Sequence, residues 1–180
     1  MIQPSSAGVR DRGFVSAWSS AAHPRHERHD AWAQVLSDFF LPWTVTSRPR
    51  EDVSASVQQC RLDDCRYLHC ASDSISGQRA VGEIGRTRGD YFNLLYILSG
   101  TELLKFQARE VWLPATHFVL WDSERRMEFN LLEPLEKLTL MVPERQMRAL
   151  LPNAQDYVGI PVNGNHGLGR LFTDHLRAMQ

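Results

Sequence analysis

The chain has 180 residues and a formal charge of −1, from 20 Lys and Arg against 21 Asp and Glu. A hydrophobic content of 43% with 23% charged residues suits one globular domain with a sizeable core and excludes a disordered chain. The balanced charge argues against a dedicated nucleic-acid domain, and no apolar run approaches the roughly 18 residues of a membrane span. The first residues lack the basic and apolar regions of a secretory signal. Three Cys fall far below the density of a disulfide scaffold. The expected compartment is therefore a reducing cytoplasm, with no membrane partner.

Residues 1–28 are polar and rich in Gly, Pro and Ser, and are expected to form a flexible arm. A helix follows, with Asp30 as its cap and Trp32, Val35, Leu36, Phe39 and Phe40 at helical spacing, until Pro42 stops it. From about 52 to 142, short β-branched and aromatic runs alternate with turn residues. Strands are predicted at 53–59, 66–71, 80–86, 92–99, 102–107, 110–113, 118–122, 127–131 and 135–142. Their spacing of about ten residues is that of a sandwich or barrel. Both faces of 92–98 are apolar, which places that strand centrally. Ser99-Gly100 is one of the clearest turns. Helices return after Pro143, first through Met147, Leu150 and Leu151. A loop with a possible strand over 157–162 leads to a last amphipathic helix. Its stripe is Leu168, Leu171, Phe172, Leu176 and Met179.

Candidate chemistry is sparse. His23, His26 and His29 are spaced by three, whereas zinc-binding helices place His four apart with Glu between, and a solvated arm is the better reading. Cys60, Cys65 and Cys70 are spaced by five, which on a continuous strand turns successive thiols to opposite faces. Structural thiols are the default and a redox sensor the second reading. Gly164, Gly167 and Gly169 reverse the dinucleotide fingerprint and read as a loop. His69 and His117 stand too far apart in sequence to suggest a metal centre, and no nucleophile–base pair is apparent. What remains is an aromatic-rich barrel. Tyr91, Tyr96, Trp112 and Trp121 lie on predicted strands, with Arg86 and Arg88 beside them. An apolar cavity with one or two convergent charges is how a small organic acid or amine is held. These six residues are the expected ligand contacts, against the simpler possibility that the aromatics fill the core.

The segment from Gly85-Arg86-Thr87-Arg88 to Pro143-Glu144-Arg145 resembles the N-terminal effector-binding domain of AraC/XylS-type bacterial transcription regulators. The likeness lies in a series: the Arg86-Thr87 pair, the strand Phe92–Leu98 ending at Ser99-Gly100, then Phe106-Gln107-Ala108-Arg109, Leu113, the strand Phe118–Asp122, and Leu138–Pro143 running into a helix. The resemblance implies an α+β, mainly β fold: a cupin-like, jelly-roll type barrel with an N-terminal helix and C-terminal helices. It implies that residues 29–142 bind a small organic effector, such as an aromatic, an acid or an amine. It implies that 143–180 dimerise, with the stripe from Leu168 to Met179 at the contact. The family's DNA-binding helix-turn-helix part is absent from this sequence, so the chain alone is expected not to bind DNA. The family usually has Pro-Gly-Asp in the turn where this sequence reads Ala115-Thr116-His117. No enzyme activity, metal or cofactor is expected. The rival readings are a cupin-like metal-dependent enzyme and a truncated antagonist that pairs with full-length regulators.

Overall fold

A computed structural model of the chain describes residues 16–48, 51–107 and 109–178. Strand β1 (Ser16–Ser19) leads through short turns into helix α1 (Arg28–Phe39). There follow β2 (Thr44–Val45), β3 (Ala55–Leu62), β4 (Cys65–Ser72), β5 (Ser76–Arg79) and the short helix α2 (Val81–Gly85). Then come β6 (Tyr91–Ser99), β7 (Thr101–Phe106), β8 (Arg109–Pro114), β9 (His117–Asp122), β10 (Met127–Leu131) and β11 (Leu135–Pro143). Helix α3 (Glu144–Leu150), strand β12 (Val162–Asn163) and helix α4 (Gly167–Arg177) complete the described chain.

The strands form two antiparallel sheets, ordered β1-β3-β4-β11-β6-β9-β12 and β2-β5-β10-β7-β8. They are two open sheets facing each other rather than a closed barrel, in a mainly β arrangement. The main core lies between them, where Val57, Leu68, Leu95, Ile97 and Met141 of the larger sheet meet Leu104, Val111, Met127 and Phe129 of the smaller. Strand β6 is central, between β11 and β9. Its alternation sends Leu95 and Ile97 into the core and Tyr96 and Phe92 to the opposite face. That outer face is covered in turn: Met147 and Leu151 pack near Phe92, and Phe172 and Leu176 near Tyr96. Helix α1 closes the sandwich with Trp32, Val35, Leu36 and the following Phe40 buried.

Two of the corners between the sheets require positive φ. Gly100, between β6 and β7, has φ +85°, and an added Cβ would lie 2.6 Å from the Pro134 carbonyl oxygen. Thr116, between β8 and β9, adopts φ +67°, which a β-branched residue rarely does. It is held there by hydrogen bonds: its N–H donates to Ile97 O (2.8 Å), its carbonyl accepts from Gly164 N (2.7 Å), and Asn165 Nδ2 donates to its hydroxyl (2.8 Å). Positive φ in the Ala115-Thr116-His117 turn is thus retained without Gly. Gly164 is required by proximity, because a Cβ would meet Thr173 Oγ1 at 2.5 Å and Thr116 O at 2.8 Å.

Several expectations need correction. The strand predicted over 80–86 is helix α2, because Glu83 folds back so that its Oε2 accepts the Ala80 N–H (2.9 Å) and stabilises a helical turn. The possible strand over 157–162 is broken: Tyr157 ends a 3-10 turn, Val158 makes a single parallel bridge to Leu120, and a strand pair begins only at Val162–Asn163, with Phe118 and His117. Asp30 lies in the first turn of α1 rather than at its cap. Within the stretch expected to be a flexible arm, Ser16–Ser19 pairs with Ser56–Gln59 of β3, and Trp18 stacks on Trp32 at 5.4 Å.

Candidate functional site

The inter-sheet core contains a cavity of about 40 Å³. Its apolar wall includes Trp32, Leu36 and Phe40 from α1 and its C-terminal end, then Trp43, Leu95, Trp121 and Phe129. Trp43 meets Phe129 edge-on at 5.0 Å between centroids and Trp121 at 5.8 Å. Of the lining residues, only Trp43 and Lys137 retain partial exposure. Trp43 is pinned to α1, since its backbone N–H donates to Ser37 Oγ (3.2 Å) and Ser37 Oγ donates to its carbonyl (3.3 Å).

One charged pair crosses this apolar space. Lys137 projects from β11 of the larger sheet and Glu102 from β7 of the smaller, with Nζ donating to Oε1 at 2.8 Å. Their side chains are 12% and 1% exposed. Lys137 also lies 5.5 Å from the centre of the Phe129 ring. Three buried polar atoms of cavity-lining residues have no hydrogen-bond partner: Glu102 Oε2, Thr139 Oγ1 and Trp32 Nε1. Buried polar groups are normally satisfied, so three such atoms around one cavity form an incomplete hydrogen-bonding set. Cys70 shares the cavity, and burial is the main reason its thiol is pushed up to about 12, with Lys137 opposing and Glu102 adding to the shift. It is therefore an inert thiol at neutral pH.

Two arginines anchor the cover. Arg66 donates to the carbonyls of Phe39 and Phe40 (3.2 and 3.1 Å), satisfying acceptors at the end of α1. Arg79, 1% exposed, donates to Pro42 O (2.7 Å), Thr87 Oγ1 (2.8 Å) and Ser123 O (2.8 Å). Burial lowers its pKa to about 10, with Glu83 opposing, so it stays charged at neutral pH.

Of the six expected ligand contacts, Trp121 lines the cavity and the other five do not. Arg86 is exposed and pairs with Glu83 at 3.1 Å, and Arg88 is exposed. Tyr91 lies beneath the Arg66 guanidinium, 5.0 Å from its ring centre. Tyr96 faces the opposite side of the sheet, where its hydroxyl accepts from Arg177 (3.2 Å). Trp112 is 60% exposed. The expected dimer stripe divides as well. Phe172 and Leu176 pack on the sheet, Leu168 and Leu171 are 83% and 68% exposed, and Met179 lies outside the described residues.

Other sequence candidates take local partners. His23 Nε2 accepts from Trp18 Nε1 (3.0 Å), His26 lies 3.5 Å from Glu27, and His29 lies 3.2 Å from Asp30. Among the described residues, no three His, Cys, Asp or Glu side chains are grouped to hold a metal ion. Cys60 belongs to the outer cluster and Cys70 to the inner core. Cys65 donates to Gln146 Oε1 at 3.3 Å, and burial, followed by Asp64 and Asp63, raises its pKa. Among the described residues, no helix is long and apolar enough to cross a membrane.

Comparison with known proteins agrees with this architecture. The AraC-like transcriptional activator CuxR has a TM-score of 0.78 at 13% identity, covering 91% of this chain and 59% of that one. An uncharacterised protein in the nit 5′ region of Bacillus sp. (strain OxB-1) is 22% identical over 123 residues, 68% of this chain and 48% of that protein. The chain thus spans about half the length of the curated relative it matches. The family model of the AraC-binding-like domain matches residues 32–179, from α1 through the sheets to the end of α4, and the chain belongs to that family.

Proposed function

We propose that this chain is the effector-sensing part of an AraC-type bacterial transcriptional regulator acting in the cytoplasm. A small organic molecule occupies the inter-sheet cavity, and its occupancy controls DNA binding by a helix-turn-helix part outside this chain. The supporting observation is the set of unpartnered buried polar atoms on residues that line the cavity. An unsatisfied buried polar atom costs about 1–3 kcal/mol, so a ligand that completes the set is favoured on both polar and apolar grounds. The role in this reading is sensing rather than catalysis.

The cavity is smaller than the roughly 150 Å³ that encloses benzene, so a ring-sized effector displaces part of the wall. Trp43 is the half-buried aromatic of the wall, and Ser37 ties it to α1. Outward movement of Trp43 with α1 is the route by which binding reaches the rest of the molecule. The test is a thermal-denaturation screen of small aromatic acids, amines, aldehydes and amides, read together with tryptophan fluorescence. Ligand at a hundredfold excess over Kd stabilises the native state by about 2.7 kcal/mol. A hit raises the midpoint and changes the fluorescence. Arg86→Ala and Trp112→Ala, outside the cavity, leave both responses intact. A broad screen with no response defeats the reading.

A further inference from the structure

Resting on that sensing role, we infer that the cavity selects an uncharged ligand head that both donates and accepts hydrogen bonds, of the primary carboxamide class, carried on a small apolar body. The unpartnered groups set this requirement. Glu102 Oε2 can only accept, Trp32 Nε1 can only donate, and Thr139 Oγ1 can do either. Lys137 commits one of its three N–H bonds to Glu102 Oε1. Thr139 lies two residues from Lys137 on β11, and both residues line the cavity.

Three ligand heads can be compared against this set. A carboxylate offers acceptors alone. It pairs with Lys137 but leaves Glu102 Oε2 without a donor and sets a second anion beside it. An ammonium offers donors alone. It satisfies Glu102 but leaves Trp32 Nε1 without an acceptor and sets a second cation beside Lys137. In both cases the internal Glu102–Lys137 neutralisation is disturbed in a site where water cannot screen the excess charge. A carboxamide has two N–H donors and a carbonyl acceptor. It serves Glu102 and the Thr139 hydroxyl on one side and Trp32 or Lys137 on the other, leaving the ion pair intact. The aromatic surfaces of Trp43, Trp121 and Phe129 receive the apolar body.

The experiment is calorimetric titration of the purified chain with benzamide, benzoate and benzylamine, which share one ring and differ in head charge. Benzamide is expected to bind at least tenfold more tightly than either charged analogue. Glu102→Gln leaves Lys137 without its counter-ion and moves the preference toward benzoate. Lys137→Met leaves Glu102 bare and moves it toward benzylamine. Because either variant can fail to fold, Thr139→Val provides a second arm. It removes a hydroxyl that has no protein hydrogen-bond partner, so the fold is kept while benzamide affinity falls several-fold. Tightest binding of benzoate or benzylamine by the unmodified chain overturns the carboxamide assignment and leaves the sensing role standing. Unchanged benzamide affinity in Thr139→Val overturns the assigned contact. Absence of binding by all three compounds overturns the sensing cavity and this inference together.

Discussion

Glu102 and Lys137 are costly residues to place where they are. Each loses most of its hydration, and one direct hydrogen bond at 2.8 Å returns only part of that energy. Removing either partner alone strands a buried charge, and a loss of about 3–5 kcal/mol is expected for Glu102→Gln or Lys137→Met. Removing both as Glu102→Leu with Lys137→Met replaces the pair by apolar side chains of similar length. That double variant is expected to equal the parent in stability or to exceed it by about 1–4 kcal/mol. Urea denaturation of the four proteins measures this. A double variant as unstable as the worse single would mean that the pair is a net structural asset rather than a feature kept for binding. Sequence reading could not find the pair because of register. On β11 the inward residues are Leu135, Lys137, Thr139 and Met141, while Leu138 faces the outer cluster. The more polar alternate set therefore points inward, opposite to the usual pattern for a strand with one solvated face. Aromatic character on a predicted strand does not decide the face: Trp121 is buried and lines the cavity, while Trp112 is exposed. Arg86 follows a short helix rather than ending a strand, and so stands outside the sandwich interior.

Helix α2 shows how a short element can escape periodicity. Val81–Gly85 contains two Gly and no apolar stripe, and its start is fixed by Glu83 reaching back to Ala80. The Glu83 carboxyl is held below its ordinary value, first by that backbone N–H and then by the Thr44 hydroxyl at 2.8 Å. A carboxylate whose folded pKa lies below its unfolded one stabilises the protein above the unfolded value, near 4.5. That contribution disappears as pH falls through the folded value. Glu83→Gln is therefore expected to lower the melting temperature at pH 7, with a loss on the order of 1–2 kcal/mol, and the gap to the parent should narrow below pH 4. A gap independent of pH would show that the carboxylate charge is not the stabilising feature. The longer elements were easier. The strands from β6 to β11 appear in sequence as alternating runs bounded by turns, and α1 as an apolar stripe. Strands β1, β2 and β5 were not anticipated, since Ser16–Ser19, Thr44–Val45 and Ser76–Arg79 are too short or too polar to show a period.

At the scale of the whole molecule, α4 serves the chain's own sheet first. Leu176 is 2% exposed against Tyr67 and Tyr96, and the Tyr67 hydroxyl donates to the Leu176 carbonyl at 3.0 Å. Phe172 meets Phe118 at 5.8 Å between ring centres. The inner half of the stripe is therefore core, and a charge at Phe172 or Leu176 would destabilise the monomer whether or not a dimer exists. Leu168 and Leu171 of the same helix are exposed and carry no such ambiguity. If the chain pairs two-fold through its last helix, as proposed from its family, these two residues supply the apolar contact. Leu171→Asp then places a charge without a partner in the interface while leaving the sheet contacts untouched. Sedimentation velocity at tens of micromolar separates the cases. The parent is expected to run as a dimer and Leu171→Asp as a monomer with an unchanged melting temperature at low concentration. A parent that runs as a monomer would refute pairing through α4. A dimer that survives Leu171→Asp would place the contact on another surface.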